Sequence, residues 1–230
     1  MLTTEGLMRL MTWLSPSFPV GAYTYSHGVE FAVEEGLVTS GETLQHWCEG
    51  ALLFGAGQTD GLFFVEAWRL IDKRDITGLI DLNAFAHAMR PTAELALENE
   101  AQGRAFLSTI LDLAPSDKLQ QLAKLLKKSG KLAQYPVIVG ALAALEEIDC
   151  EPALVAYLHA FGANLVSAGV RLVPLGQTAG QKALMGLEEA VKEAAKQALT
   201  KKMEDIGSCA PMIDWTSMRH ETQYTRLFRS

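Results

Sequence analysis

The chain has 230 residues, 49% of them hydrophobic and 20% charged, with a formal net charge of −7. This composition belongs to folded globular chains and excludes a disordered one, and the length suits one domain whose core needs no disulfide or structural metal. The acidic balance excludes nucleic acid as the main partner, because contacting phosphates requires a basic face.

The dominant period along the chain is helical. The first fourteen residues include Glu5, Arg9 and Trp13 and lack the apolar core of a secretion signal. A helix is expected from near Tyr25 to Gly36. Thr39 and Glu42 have capping-box spacing for the next helix, whose apolar stripe is Leu44, Trp47, Cys48, Ala51 and Leu52. Residues 61–72 and 76–89 read as two more helices. Pro91 suits the first turn of a helix that keeps Ala93, Leu97, Ala101 and Ile110 on an apolar face. Ser116 can cap, and Gly130 can stop, a short helix through Leu119, Leu122 and Leu126. Pro136 opens a helix running to Ile148, and Pro152 opens one that Pro174 ends.

Residues 153–173 are long and apolar enough to cross a bilayer. Asn164, Ser167 and Arg171 nevertheless recur there at helical spacing, and Ala160, Gly162, Ala163, Ala168 and Gly169 let neighbours approach closely. The segment reads as the central helix of a bundle, with no membrane partner. Thr178 and Gln181 again have capping-box spacing, opening a long amphipathic helix through Leu184, Leu187, Val191 and Ala198. A loop around Pro211 and a last segment, 215–230, close the chain. No alternating run marks a strand, so the expected fold is all-α: a single domain, a bundle of about eight to ten helices around a central apolar helix.

Signatures of chemistry are absent. Gly176, Gly180 and Lys182 miss the spacing of a phosphate loop, and Gly55, Gly57 and Gly61 miss that of a dinucleotide turn. The five histidines, His27, His46, His87, His159 and His220, form no i, i+3 or i+4 pair with another His or with Cys. A two-fold axis joining two copies of His27 or His220 around a metal stays open. Glu94 with Glu98, and Asp60 with Glu66, read as solvated or ion-paired helix residues rather than acid–base pairs. Cys48, Cys150 and Cys209 are odd in number and far apart, which suits a reducing, cytoplasmic compartment.

Two segments carry more than packing requires. Residues 15–28, SPSFPVGAYTYSHG, set Phe18, Tyr23 and Tyr25 in a connection stiffened by Pro16 and Pro19. That is either a pre-organised contact surface or a well-packed helix connection. Residues 217–230 interleave Met218, Tyr224, Leu227 and Phe228 with Arg219, Arg226 and Arg229. Arg and Tyr dominate binding hot spots, so this tail either packs on its own body or docks a partner, an acidic surface included.

At these segments the chain resembles a known family. SPSFPVGAYTYSHGVE (15–30), LVSAGVRLVPLGQTAGQ (165–181) and SMRHETQYTRLFRS (217–230) look like hallmark blocks of the urease accessory protein UreF, with QGRAFL (102–107) and YPVIVGALAA (135–144) between them. The blocks cover essentially the whole chain in order. The resemblance implies a non-enzymatic, cytoplasmic, homodimeric scaffold. It would bind UreD (also called UreH), recruit and modulate the GTPase UreG, and support nickel insertion into apo-urease. It implies no cofactor, nickel being handled by the complex. It assigns partner binding to Tyr23, Ser26, Glu30, Arg171, Gln177, His220, Glu221, Tyr224, Arg226, Leu227 and Phe228, with 215–230 as a tail that folds on UreD. Arg226 would steady the loop that bears Tyr23, near the dimer centre, and Glu30 would belong to the same surface. The stripe of Asn164, Ser167 and Arg171 would satisfy buried backbone beside the 176–180 loop, or else line a water-filled path for nickel. Two rivals remain: a helical enzyme with a buried pocket of perturbed acids, and a chaperone that binds nickel by itself.

Overall fold

The computed structural model describes residues 2–130 and 132–230. Among them the chain forms twelve α-helices and two 3-10 turns, with no strand. Helix α1 (Thr4–Trp13) starts at Thr3, whose hydroxyl accepts the Gly6 N–H at 3.0 Å. The helix expected from Tyr25 is shorter than its pattern. A 3-10 turn (Ala22–Thr24) precedes the six-residue α2 (Val29–Glu34). His27 and Gly28 separate them with φ of 56° and 81°, a left-handed pair that no helix can include.

Helix α3 (Gly41–Leu53) corrects the expected cap by one residue. Ser40 is extended and its hydroxyl accepts the Thr43 N–H at 3.2 Å, while the Thr43 hydroxyl accepts the Ser40 N–H at 2.9 Å. Thr39 and Glu42 are not the box. Helices α4 (Ala56–Asp72) and α5 (Ile76–Ala88) follow. Helix α6 (Ala93–Leu113) is capped by the Thr92 hydroxyl, so Pro91 lies before the cap rather than in the first turn. Ser116 and Gly130 bound α7 (Asp117–Ser129) as expected. Pro136 sits in the first turn of α8 (Tyr135–Leu145), which ends short of Ile148.

Helix α9 (Cys150–Leu172) is the long apolar one. By length and by a mean hydropathy of 1.5 it could cross a membrane, yet half of that window is buried inside the molecule. It packs on α2, α3, α4 and α8, and on the two helices after it, α10 (Gln177–Gly186) and α11 (Glu188–Thr200). Those two were expected as one. They part at Gly186–Leu187, where glycine weakens the helix and Leu187 is driven into the core at 1% exposure. Gly176, without a side-chain cap, precedes α10, and Thr178 lies inside its first turn instead of capping it. A second 3-10 turn (Met203–Asp205) leads to α12 (Pro211–His220). Pro211 therefore opens a helix, where its missing N–H is not needed, rather than sitting in a loop.

The apolar core is one cluster running from Leu10 to Ile213. Its largest fully buried rings are Phe63, Phe64 and Phe106, each worth roughly 1.5–3 kcal/mol of burial. Helices α4 and α8 cross at backbone contact: a Cβ at Gly140 would lie 2.3 Å from the Phe64 carbonyl oxygen. That crossing fixes the frame against which α6 and α9 hold the loop and the tail.

Candidate functional site

The two segments that packing alone did not explain meet. Beyond α12 the chain returns over the 21–30 loop: Arg229 N–H donates to the Thr24 carbonyl at 2.8 Å, and Ser26 N–H donates to the Ser230 carbonyl at 2.6 Å. The Ser26 hydroxyl donates to the same Ser230 oxygen at 2.5 Å. Phe228 is buried at 4% exposure beneath the tail. Gly28 is needed at this seam, since a Cβ there would meet the Thr216 hydroxyl at 2.8 Å and the Ser217 nitrogen at 2.9 Å. The tail thus packs on its own body, and ring burial offsets the entropy of ordering it.

Under the seam lies a cluster of charge. Glu30, in the first turn of α2, accepts from Leu227 N–H at 2.6 Å and from Phe228 N–H at 2.9 Å. Its Oε2 is also 3.0 Å from His220 Nε2. The other ring nitrogen, Nδ1, is 2.7 Å from Glu94 Oε2 on α6, and Arg226 pairs with Glu94 Oε1 at 2.9 Å. His220 is wholly buried. Burial pushes the Glu94 carboxyl above its usual range; His220 and Arg226 work against that shift, and Glu221 adds to it. One turn along α6, Glu98 accepts from the Ser230 hydroxyl at 2.8 Å and from the Gln102 amide at 3.1 Å.

The arginines are used inside the molecule. Arg171 donates to the Tyr23 carbonyl at 2.7 Å, and its guanidinium stacks 4.3 Å from the Phe228 ring centre. Asn164 donates to the Ala22 carbonyl at 3.1 Å. The α9 polar stripe therefore grips the 22–23 turn. Arg219 lies over Phe31 at 5.6 Å and Arg229 over Tyr25 at 5.9 Å. Such contacts suit the flat, weakly hydrated guanidinium. One expectation needs correction here. The hydrogen bond to the Tyr23 carbonyl comes from Arg171, whereas Arg226 ties the tail to Glu94. Arg219, Arg226 and Arg229 stay exposed while they stack on rings or pair with a carboxylate.

Of the residues assigned from sequence, Ser26, Glu30, Arg171, His220, Arg226, Leu227 and Phe228 come together at this seam. The Tyr23 ring is exposed at 63% beside it, and Tyr224 and the Leu227 side chain face outward. Glu221 ends α12 and is exposed. Gln177 is not brought in; it begins α10 on the surface, and among the described residues no hydrogen bond joins it to loop or tail. His220, fully buried between two carboxylates, does not fit a metal shared across a dimer axis, and His27 is buried too. Among the described residues no three His, Cys, Asp or Glu side chains are grouped as a metal site.

A cleft of about 500 Å³ opens beside the seam between α1, the 13–27 stretch, α6 and α9. Two acids line it: Asp60 is buried against Arg90 at 2.5 Å and accepts from the Tyr157 hydroxyl at 3.2 Å, and Glu98 lies 3.4 Å from the His27 ring. Burial pushes Tyr157 and Tyr135 well above the ordinary phenol range, so both keep their protons at neutral pH. The cleft wall is otherwise mostly apolar, with Leu7, Met11, Trp13 and Ala160 among its residues.

Residues 38–188 match the family model named UreF. A urease accessory protein UreF of Rhodopseudomonas palustris (strain HaA2) is 46% identical over 97% of this chain and 93% of its own length. The proteins of the same name from Granulibacter bethesdensis and Magnetococcus marinus are 45% and 44% identical, covering 97% and 100% of this chain and 94% and 100% of their own. The chain belongs to the UreF family.

In this UreF chain the residues that sequence reasoning missed are on α6. Glu94 and Glu98 are buried partners of the tail, at 8% and 9% exposure: the ion-paired alternative holds for Glu94, which pairs with Arg226, and neither is solvated. The signal was present: Glu94, Glu98 and Gln102 recur every four residues, a polar stripe facing inward. Buried carboxylates must find donors, and the donors come from a segment more than 120 positions away. Thr92 is a second example, its hydroxyl lying 2.7 Å from that of Ser217.

Proposed function

We propose that this UreF chain is a docking scaffold for urease maturation. It binds a UreD-like protein through its tail, recruits and modulates a UreG-like GTPase, and so supports nickel insertion into apo-urease without bond-breaking chemistry of its own. The reading fits a family and relatives named for an accessory role to urease. The observation that carries it is the seam: residues 217–230 are held by buried charge and ring stacking while Tyr23, Tyr224 and Leu227 stand exposed along it. Aromatic and aliphatic side chains on a pre-organised backbone make a binding surface at low entropic cost.

A second copy of the chain is the further partner in this reading. From Pro152 to Val170 the sequence has no Asp, Glu, Lys or Arg. The outward side of α9 (Ala156, Ala160 and Ala163) lies across the cleft from exposed Leu7 and Met11. A chain of net charge −7 pairs with itself most easily through a face without charge. The assembly would work in the cytoplasm, in keeping with three cysteines that form no disulfide.

Co-purification with the UreD-like and UreG-like proteins tests the proposal. The full chain is expected to retain both, and a chain lacking 217–230 to lose the UreD-like protein. Equal retention by the two chains would overturn the assignment of the tail.

A further inference from the structure

We propose that the tail is held by a proton-operated latch: the Glu30–His220–Glu94 cluster closes residues 221–230 onto the body only while it holds one exchangeable proton. Two short N···O lines leave the His220 ring, 3.0 Å to Glu30 and 2.7 Å to Glu94. Each line needs a hydrogen. A neutral imidazole supplies one, and two ionised carboxylates supply none. The closed cluster therefore carries one more proton, either on the ring as imidazolium or on Glu94.

Charge counting reaches the same conclusion. The groups facing His220 are Glu30 from α2 and Glu94 from α6, with Arg226 of the tail on the far side of Glu94. With the extra proton, Glu30, Glu94, His220 and the partly exposed Arg226 together sum to zero. Without it the set carries a net negative charge in a site where His220 is wholly buried, which low-dielectric surroundings disfavour. A nitrogen lone pair would then face a carboxylate oxygen at hydrogen-bond distance. Glu221, next in the chain after His220, adds negative charge nearby and favours the protonated form of Glu94. The raised Glu94 carboxyl fixes the sign: a group whose affinity for a proton is higher in the closed form stabilises that form at low pH and loses its effect as pH rises. Opening releases Leu227 and Phe228 N–H from Glu30 and lifts the Phe228 ring from Arg171. Opening therefore dismantles the docking surface, and the latch rests on that reading of the closed seam.

Hydrogen exchange of the 221–230 peptide, corrected for intrinsic rate and followed from about pH 6 to about pH 9, tests the latch on the full chain. Above the point of proton release, protection should fall by about tenfold per pH unit, while amides of α4 and α8 stay protected. Glu94→Gln supplies a permanent N–H to the ring and keeps an oxygen for Arg226, so its tail should stay protected with no pH dependence. A flat profile in the unsubstituted chain would overturn the proposal, as would core amides opening in parallel. So would a Glu94→Gln tail that still titrates or is open at every pH.

Discussion

Arg171 does more for the seam than any exposed arginine is expected to do. It joins α9 to the 22–23 turn by a charged hydrogen bond and to the tail by a ring stack. Arg171→Ala removes both and should weaken tail closure by about 1–2 kcal/mol, read as faster proteolysis after residue 217 with unchanged cleavage elsewhere. Arg171→Lys should rescue little of this, since an ammonium cannot stack flat on Phe228 while donating sideways. The cysteines give a second prediction at this scale. Burial pushes Cys48 up to about 12 and Cys150 up to about 11, whereas Cys209 is exposed. Thiolate, not thiol, reacts with a thiol reagent. Cys209 should therefore label first in the native chain and Cys48 only on unfolding, as counted by mass after timed labelling.

At the scale of elements, the α4–α8 crossing carries the frame. Gly140→Ala places a methyl carbon against the Phe64 backbone, which cannot rotate away as a side chain would. The substitution should destabilise the fold by about 1–3 kcal/mol, seen as a lower urea midpoint with unchanged slope. Most helices were legible because their signals are local: Ser116 and Gly130 bound α7, and Pro136 opens α8, by rules that act within one turn. Errors arose where two local solutions competed. Thr39 and Ser40 both offer a capping hydroxyl, and the one in extended backbone beside Thr43 prevailed. The α10–α11 break was illegible because a continuous amphipathic stripe runs through Gly186 and only packing decides that the chain turns there. The site divides the same way. Its residues on the loop and tail were found by composition, but their partners on α6 were not, because contacts across 126 and 132 positions leave no mark in local spacing.

The whole molecule joins an all-helical frame, a charge-free face on α9 and a tail closed over buried carboxylates. At the seam Glu30, Glu94 and Glu98 all hold the tail, which is the surface proposed to meet other polypeptides. The deciding measurement is the nickel content of urease purified from cells that lack this chain, then from the same cells given the chain back. The account predicts nickel-poor urease without it, full loading when the intact chain returns, and poor loading when only a form without residues 217–230 is supplied. Urease fully loaded with nickel in cells lacking the chain would contradict it.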